Sequence, residues 1–319
     1  MPVSPFFIDF KKEIDASFER AKSDAGVEAK DVRLELTEDP WASGIVRAEF
    51  MVLPSLKLVR ITWAGIASLW ACSQGMARIS RRAFDGSRKK TADKLVIEKG
   101  SQLEAGCFLL ELSKGLCSQD LREDDQGKLR WPEWAPLPNA SPKGEDDVAG
   151  NSFFYGALAW IMRHELAHVV LDHENREKIE RKSWPEYEQE ADIQATTWLR
   201  GERAVDQDRQ LGTRPTQEEL DLEIRGVAIG IAVIWIASFE SHFGRTSKKH
   251  PPAAERLFNS FDCLGLREDS FACEVIALSI HAWLDPQGSW SSREKPFPTA
   301  RDFLTEAIVR LHRYMGDLA

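Results

Sequence analysis

The sequence has little of what marks several common protein classes. Its 319 residues carry 42 Lys and Arg against 51 Asp and Glu, a net charge of -9, so no overall basic charge is available to bind nucleic-acid phosphates. The five cysteines form no CxxC pair, which is typical of free thiols in a reducing compartment. These absences argue against nucleic acid as a partner and against a secreted disulfide scaffold. They favour a cytoplasmic protein.

Signals for export or membrane insertion are also missing. The N-terminal stretch "MPVSPFFIDFKKEIDASFER" has no basic segment followed by an apolar run, so it is not a signal peptide. It predicts an amphipathic helix whose apolar side carries Phe6, Phe7, Phe10, Ile14 and Phe18. The most apolar run, 226–239, is shorter than the roughly 20 residues that span a bilayer. We therefore expect a buried core helix there and no transmembrane segment.

The order of predicted elements indicates an α+β fold. Three stretches rich in β-forming residues, 32–36, 45–53 and 56–62, predict a small, mostly antiparallel sheet. Helical patterns follow at 63–84, 101–116, 151–174, 186–202, 214–244, 251–262, 266–284 and 299–317. Many turn residues in 118–150 predict a long surface loop. We expect a single domain over 1–319, with the N-terminal helix, the sheet and a helix in 1–100, a helix and the loop in 101–150, and a helical core in 151–319.

One motif carries chemistry. The stretch "WIMRHELAHVVLDH", residues 160–173, contains His164, Glu165 and His168 in the pattern H-E-x-x-H. On a helix, residues four apart lie one turn apart on the same side, so both imidazoles can bind one metal ion. Glu165 then lies beside the ion, where a general base can take a proton from a water on the metal. No GxSxG, GxGxxG or P-loop motif suggests another chemistry.

The surroundings of the motif favour a metal over two stray surface histidines. Its helix is apolar on nearly every side, which predicts that it is buried. A buried carboxylate costs several kcal/mol unless a charge compensates it. One Zn²⁺ on the two histidines would supply that charge.

A catalytic zinc needs a third protein ligand, and the next predicted helix offers carboxylates. Glu188 and Asp192 lie one turn apart at the edge of its apolar stripe. We predict that Glu188 is the third ligand and that Asp192 accepts the free N–H of a zinc-bound histidine, fixing its tautomer. Two alternatives stay open: Glu190 as the ligand, or an acidic face that only contacts solvent.

Two further histidines lie near these segments. His173 is about 140° from His168 on a helical wheel, so we predict a helix-end histidine rather than a ligand. His250 precedes Pro251 and Pro252, which are predicted to begin a new helix. His250 is a candidate catalytic residue that hydrogen-bonds the oxyanion, or it is an ordinary histidine at a helix N-terminus.

Four stretches together resemble the Lit-type phage-exclusion peptidases: "FFYGALAWIMRHELAHVVLDH", "EQEADIQATTWLRG", "GVAIGIAVIWIASFE" and "HPPAAERLFNS". The resemblance spans about residues 55–262. H-E-x-x-H, then E-x-x-x-D and His-Pro, also resembles the broader zincin clan, including HtpX-like membrane proteases, whose membrane spans this sequence lacks. The resemblance implies a zincin-like, gluzincin-like peptidase domain with one Zn²⁺ on His164, His168 and Glu188, and Glu165 as the base.

The resemblance also implies a biological role. In the Lit-type family the target is translation elongation factor Tu, which is cut after infection so that protein synthesis stops. We therefore expect a latent phage-defence endopeptidase that a phage-derived protein activates, with 118–150 as a candidate gate. Two alternatives remain. One is a zinc-stabilised regulatory or binding module without catalysis, against which Glu165 speaks, and the other is a peripheral membrane quality-control protease.

Overall fold

The computed structural model describes residues 10–26, 29–37, 50–89, 97–118, 131–137, 142, 144–180, 182–201, 215–243, 250–285 and 297–317. The described helices are α1 (Lys11–Ala25), α2 (Trp63–Lys89), α3 (Gln102–Ser118), α4 (Glu145–Val170), α5 (His173–Ile179), α6 (Trp184–Arg200), α7 (Gln217–Phe243), α8 (Ala253–Leu264), α9 (Phe271–Leu284) and α10 (Ala300–Asp317). The predicted helices after residue 62 all correspond to one of these, so the mostly helical character is confirmed.

Three short strands form the described sheet: β1 (Arg33–Thr37), β2 (Phe50–Leu53) and β3 (Leu58–Thr62). In β3, Val59 and Ile61 are buried while Arg60 between them bonds to Glu35 of β1 at 2.7 Å on the other face. This alternation is the two-residue period of a strand with one apolar face. The positions of the strands therefore follow from the sequence pattern.

The prediction of a mostly antiparallel sheet is wrong, because the sheet is mixed. The strand order is β1-β3-β2: β2 pairs antiparallel with β3, and β1 pairs parallel with β3. The chain reverses direction between β1 and β2 and again between β2 and β3. A central β2 would make both pairs antiparallel, whereas a central β3 makes one pair parallel. Apolar periodicity locates strands but does not state their spatial order.

Helix α4 lies at the centre of the fold and carries the H-E-x-x-H motif. It packs against α1, α2, α6 and α7, and against β2 and β3. Phe154, Leu158, Trp160 and Leu166, which project on different sides of the helix, are all fully buried. A helix apolar on all sides is enclosed in this way because every face must find an apolar neighbour.

The loop predicted at 118–150 is shorter at its C-terminal end. Helix α4 begins at Glu145, so residues 145–150 are helical rather than part of a loop. Its first turn is acidic, and Asp147 pairs with Arg78 of α2 at 3.0 Å. Negative side chains at a helix N-terminus interact favourably with the helix dipole. Trp131 and Ala135 are buried within the described stretch 131–137, while residues 119–130, 138–141 and 143 of the proposed gate lie outside the described residues.

The two other apolar predictions concern α1 and α7. In α1, Ile14 and Phe18 are buried and Phe10 packs against the core, as the amphipathic pattern predicts, while Phe6 and Phe7 lie outside the described residues. Helix α7 contains the apolar run 226–239, and its described side chains from Val227 to Trp235 are buried in the core. Within the described ranges, no helix combines the length and apolarity needed to cross a bilayer.

A glycine pair allows α2 and α3 to touch, and this contact supports the helices beside α4. A Cβ on Gly106 would lie 2.9 Å from the carbonyl oxygen of Gly75, and a Cβ on Gly75 would lie 2.8 Å from that of Gly106. We expect Gly106→Val to lower the free energy of unfolding by about 1–3 kcal/mol, because the backbones must separate. Chemical denaturation measures this loss.

Phe108→Val is the matched control, since it places the same side chain on the same helix at a position that is 55% exposed. We expect it to change the free energy of unfolding by no more than about 1 kcal/mol. Equal losses in the two variants would show that the close contact of α2 and α3 is not what matters.

Candidate active site

The two histidines of the motif point at one place from successive turns of α4. Nε2 of His164 lies 3.2 Å from Nε2 of His168, and both side chains are buried. Trp184 stacks on the His168 ring, with ring centroids 6.0 Å apart and planes within 6°. The helical spacing of four residues and this aromatic packing together fix the direction of both rings.

Helix α6 brings a carboxylate to the same place. Oε2 of Glu188 lies 3.4 Å from Nε2 of His164, and Oε1 lies 3.4 Å from Nε2 of His168. Ser183 and Glu186 form a capping box at the start of α6, with the Ser183 amide donating to Glu186 at 2.7 Å. Such a cap stabilises the first turn and so sets where the helix begins. Glu188 follows in the next turn.

These three side chains fit a metal ion. Zinc ligands lie about 2.0–2.2 Å from the ion, so two ligands of a tetrahedral site lie about 3.3–3.5 Å apart. Nε2 of His164 lies 3.2 Å from Nε2 of His168 and 3.4 Å from Oε2 of Glu188, which is close to that geometry, while the 3.4 Å contact to His168 comes from the other oxygen, Oε1. His164, His168 and Glu188 could therefore hold a metal ion. Two imidazoles and a carboxylate suit zinc among the divalent metals.

The charges around this cluster call for a cation. Three carboxylates, those of Glu165, Glu188 and Asp192, lie at or beside the cluster, and the buried Arg256 pairs with Asp192 and lies 3.8 Å from Glu188. Burial acts against a charged His164 ring, but hydrogen bonds to Asp192 and Glu188 outweigh it and raise the pKa of His164 to about 10. Burial and the His164 charge lower the pKa of His168 to about 3. Without a metal, the charged His164 and Arg256 compensate two of these carboxylates, and a divalent ion would supply positive charge in place of the His164 proton.

Asp192 lies behind His164, on the side away from the cluster. Its Oδ1 is 2.9 Å from Nδ1 of His164. Arg256 of α8 binds the same carboxylate with two bonds, from Nε to Oδ2 at 2.8 Å and from Nη2 to Oδ1 at 2.6 Å. The structure thus brings Asp192 to the place where it can accept the Nδ1–H of His164 and leave Nε2 free for a metal. Arg256 was not singled out from the sequence, where an isolated arginine carries no distinctive pattern.

Glu165 is beside the cluster rather than in it. Its side chain is half-buried, and within the described part of the chain its carboxylate has no hydrogen bond or ion pair. Burial raises the pKa of Glu165, as does the neighbouring Glu188 carboxylate, while the His164 charge acts in the opposite direction. A partly accessible carboxylate without a protein partner can accept a hydrogen bond from water.

His250 joins the site from the N-terminal end of α8. Its Nδ1 lies 3.0 Å from Oε2 of Glu188, and its side chain is 45% exposed. If Nδ1–H donates to Glu188, Nε2 can donate to an oxyanion only when the ring carries both protons. The structure therefore places His250 against the third candidate ligand, and its predicted role at the oxyanion stays a prediction.

The two remaining predictions concern Glu190 and His173. Glu190 pairs with Arg176 at 2.8 Å and with Lys182, and it does not join the histidine cluster, so the structure favours Glu188 over Glu190 as the ligand. His173 lies at the start of α5, as a helix-end histidine should. Its Nδ1 is 2.9 Å from Nδ1 of His168, a contact that the helical wheel did not predict.

The buried pair of Arg256 and Asp192 provides a test of the site's framework. Both side chains are almost fully buried, so Arg256→Met removes the guanidinium and its two hydrogen bonds from a buried carboxylate and leaves His164 as its remaining partner. We expect the metal-free protein to lose about 3–5 kcal/mol in its free energy of unfolding, as when one partner of a buried pair is removed. Denaturant unfolding in the presence of a chelator measures this.

Arg301→Met is the matched control. Arg301 of α10 also forms an ion pair with a residue of α8, Asp262, but both side chains of this pair are exposed. We expect it to cost no more than about 1 kcal/mol. If Arg256→Met costs as little as Arg301→Met, the buried pair does not hold α6 against α8.

Comparisons with known proteins agree with this picture. The model of the Peptidase U49 family matches residues 59–277, a range that contains every candidate site residue. The Cell death peptidase of Escherichia coli (strain K12) is 31% identical over 205 residues, which are 64% of this chain and 62% of the relative, so the match spans less than two thirds of that relative. No solved structure matches, and the zincin-like fold stays a prediction.

The resemblance to the Lit-type peptidases is confirmed. Because its model matches more than half of the sequence, the chain belongs to the Peptidase U49 family.

Proposed function

We propose that this protein is a zinc-dependent endopeptidase that hydrolyses a peptide bond in a cytoplasmic protein. One observation carries the proposal: His164, His168 and Glu188 bring potential ligand atoms within 4.8 Å of one another in a buried cluster, close enough to hold one metal ion. Membership of a peptidase family supports hydrolysis of peptide bonds. The accessible Glu165 supports a catalytic site over a purely structural zinc, which needs no additional carboxylate beside it.

A bound Zn²⁺ would supply Lewis-acid polarisation of the scissile carbonyl and would lower the pKa of water. The side chains supply the rest of the chemistry. Glu165 accepts a proton from the attacking water and then delivers it to the leaving amine. Asp192 holds the Nδ1–H of His164, which keeps Nε2 directed at the metal. His250, beside Glu188, donates to the oxyanion from Nε2 when its ring is protonated.

The site also supports a latent enzyme. The exposed fractions of His164, His168 and Glu188 are 6%, 4% and 3%. An extended peptide must approach the metal from one open side, and such low exposure leaves little surface for it. A closed resting site that a protein trigger opens agrees with this burial. It also agrees with the need to restrain a protease directed at a vital cytoplasmic protein.

The first test separates catalysis from metal binding. We expect Glu165→Gln to reduce cleavage by about 10²–10⁴-fold, because the amide cannot take the proton from water. Zinc content should remain one ion per chain, since Glu165 is not among the converging ligands. Cleavage of proteins in a lysate of phage-infected bacteria and metal analysis of the same preparations are the measurements.

Glu177→Gln is the control for the charge change, because Glu177 is an exposed residue of α5 outside the cluster. It should leave cleavage and zinc content unchanged. If Glu165→Gln cleaves as fast as the parent, Glu165 is not the base. If the parent binds zinc but cuts nothing under any condition, the non-catalytic zinc-stabilised module becomes the better description.

The target and the trigger come from the family resemblance. We propose that the substrate is elongation factor Tu and that the trigger is a phage-derived protein, a phage-defence role that agrees with the name of the Cell death peptidase. Purified parent protein should cut purified elongation factor Tu when extract from phage-infected cells is added. Extract from uninfected cells should have little effect. Mass spectrometry of new termini identifies the cut.

Three results would change this proposal. Complete cleavage without any extract would contradict latency. Cleavage of other lysate proteins but not of elongation factor Tu would leave the endopeptidase and remove this target. Cleavage by the infected-cell extract when the parent protein is omitted would show that a protease in the extract is responsible.

A further inference from the structure

His168 makes contacts through both of its ring nitrogens, and the second contact has no role in the function proposed above. Nε2 faces His164 and Glu188, while Nδ1 lies 2.9 Å from Nδ1 of His173. His173 is fully buried and packs against the ring of Tyr187 at 5.0 Å. A histidine pair held this closely within the core needs one proton between the two nitrogens, because two lone pairs repel each other.

The far side of His173 shows which nitrogen carries the hydrogen. Nε2 of His173 lies 3.4 Å from Oε2 of Glu190 and has no hydrogen bond of normal geometry in the described structure. A ring nitrogen facing a carboxylate is favoured in its N–H form, since a lone pair there would face negative charge. Nε2 of His173 is therefore the donor, and Nδ1 of the same neutral ring is an acceptor.

This assignment determines the tautomer of His168. Because Nδ1 of His173 is an acceptor, Nδ1 of His168 must donate to it. The lone pair of a neutral His168 is then on Nε2, the nitrogen that faces His164 and Glu188. The charge of Glu190 thus determines which nitrogen of His173 carries the hydrogen, and His173 in turn determines which nitrogen of His168 carries it.

Glu190 is held in place for this task. Its two carboxylate oxygens accept from Nη1 and Nη2 of Arg176 at 2.8 and 3.3 Å, and Lys182 pairs with it as well. Arg176 also lies over the ring of Tyr187, which packs against His173. A carboxylate bound by two cations stays ionised and keeps its orientation.

A left-handed residue makes the contact between His173 and His168 possible. Helix α4 ends at Val170, and Asp172 has φ 53° and ψ 41° before α5 begins at His173. This conformation turns the chain so that His173 folds back beside His168. On a continued α-helix the two rings would project in different directions, about 140° apart.

We propose that His173 and Glu190 form a positioning relay for His168, resting on the proposed metal centre, in which His173 holds the Nδ1–H of His168 and the negative charge of Glu190, 3.4 Å away, keeps the hydrogen of His173 on Nε2. The relay is the counterpart of Asp192, which contacts the Nδ1 of His164 directly. Its effect is to direct the Nε2 lone pair of His168 at the ion. Outer partners of this kind commonly change metal affinity by about 10–100-fold.

The test measures zinc affinity of the full chain by competition with a chromophoric chelator. His173→Phe keeps a ring of similar size but removes the acceptor, and we expect about a 10–100-fold weaker affinity. His173→Asn places an amide oxygen near the position of Nδ1, and it should recover part of that loss. Glu190→Gln keeps an acceptor without the charge, and it should weaken affinity less than His173→Phe.

His281→Phe is the matched control. His281 of α9 is equally buried, and its Nδ1 accepts from Arg310 at 3.0 Å, but α9 carries no residue of the site. It should lower the stability of the metal-free protein without changing zinc affinity. Co²⁺-loaded protein gives a second measure, since a reoriented His168 should alter the absorption bands of cobalt in His173→Phe and not in His281→Phe.

The outcomes separate the relay from the function. A parent that binds zinc stoichiometrically, with His173→Phe within twofold of its affinity and with the same cobalt spectrum, overturns the relay alone. A parent that binds no zinc overturns the metal centre and the relay together. A parent that binds zinc with the expected loss in His173→Phe, but cleaves no protein even with extract from phage-infected cells, supports the relay and contradicts the proposed endopeptidase.

Discussion

Two imidazole nitrogens that face each other inside an apolar core are the constraint on which the site depends. Nε2 of His164 and Nε2 of His168 are 3.2 Å apart, with the carboxylate of Glu188 3.4 Å from each. Neutral nitrogens at this distance repel each other unless a cation lies between them, and a proton can serve only one pair at a time. A divalent ion would satisfy all three groups at once, because α4 and α6 hold them close enough together to share one ion.

Much of this arrangement can be read from the sequence because it depends on helical periodicity. The spacing of four between His164 and His168, and again between Glu188 and Asp192, places each pair on one side of a helix. The apolar surroundings show that these sides point inward. The structure brings all four residues together, with Asp192 behind His164 and Glu188 in front of it. Their roles at a metal stay predictions, because the structure shows only that these four side chains lie close together.

The parts that sequence reasoning missed depend on breaks in periodicity and on long-range packing. A helical wheel assumes that the helix continues, but α4 ends at Val170 and Asp172 turns the chain, so the angle assigned to His173 does not apply. The order of the strands and the partner of Arg256 depend on how elements meet in space. The acidic segment before residue 151 was predicted to be a loop because charged residues are common in loops. Acidic residues also stabilise the N-terminus of a helix, and here they form the first turn of α4.

Helix α6 links these observations, since it supplies Glu188 as the candidate ligand, Asp192 behind one histidine and Glu190 on the far side of the other histidine's partner. An arginine from a neighbouring helix holds each of the two outer carboxylates: Arg256 of α8 binds Asp192, and Arg176 of α5 binds Glu190. A shift of α6 would therefore alter the ligand and both supporting contacts together. The H-E-x-x-H pattern on α4 positions only two of the three candidate ligand atoms. Whether such a pattern forms a metal site is decided by the helix that packs across it, and here that helix is fixed from both sides.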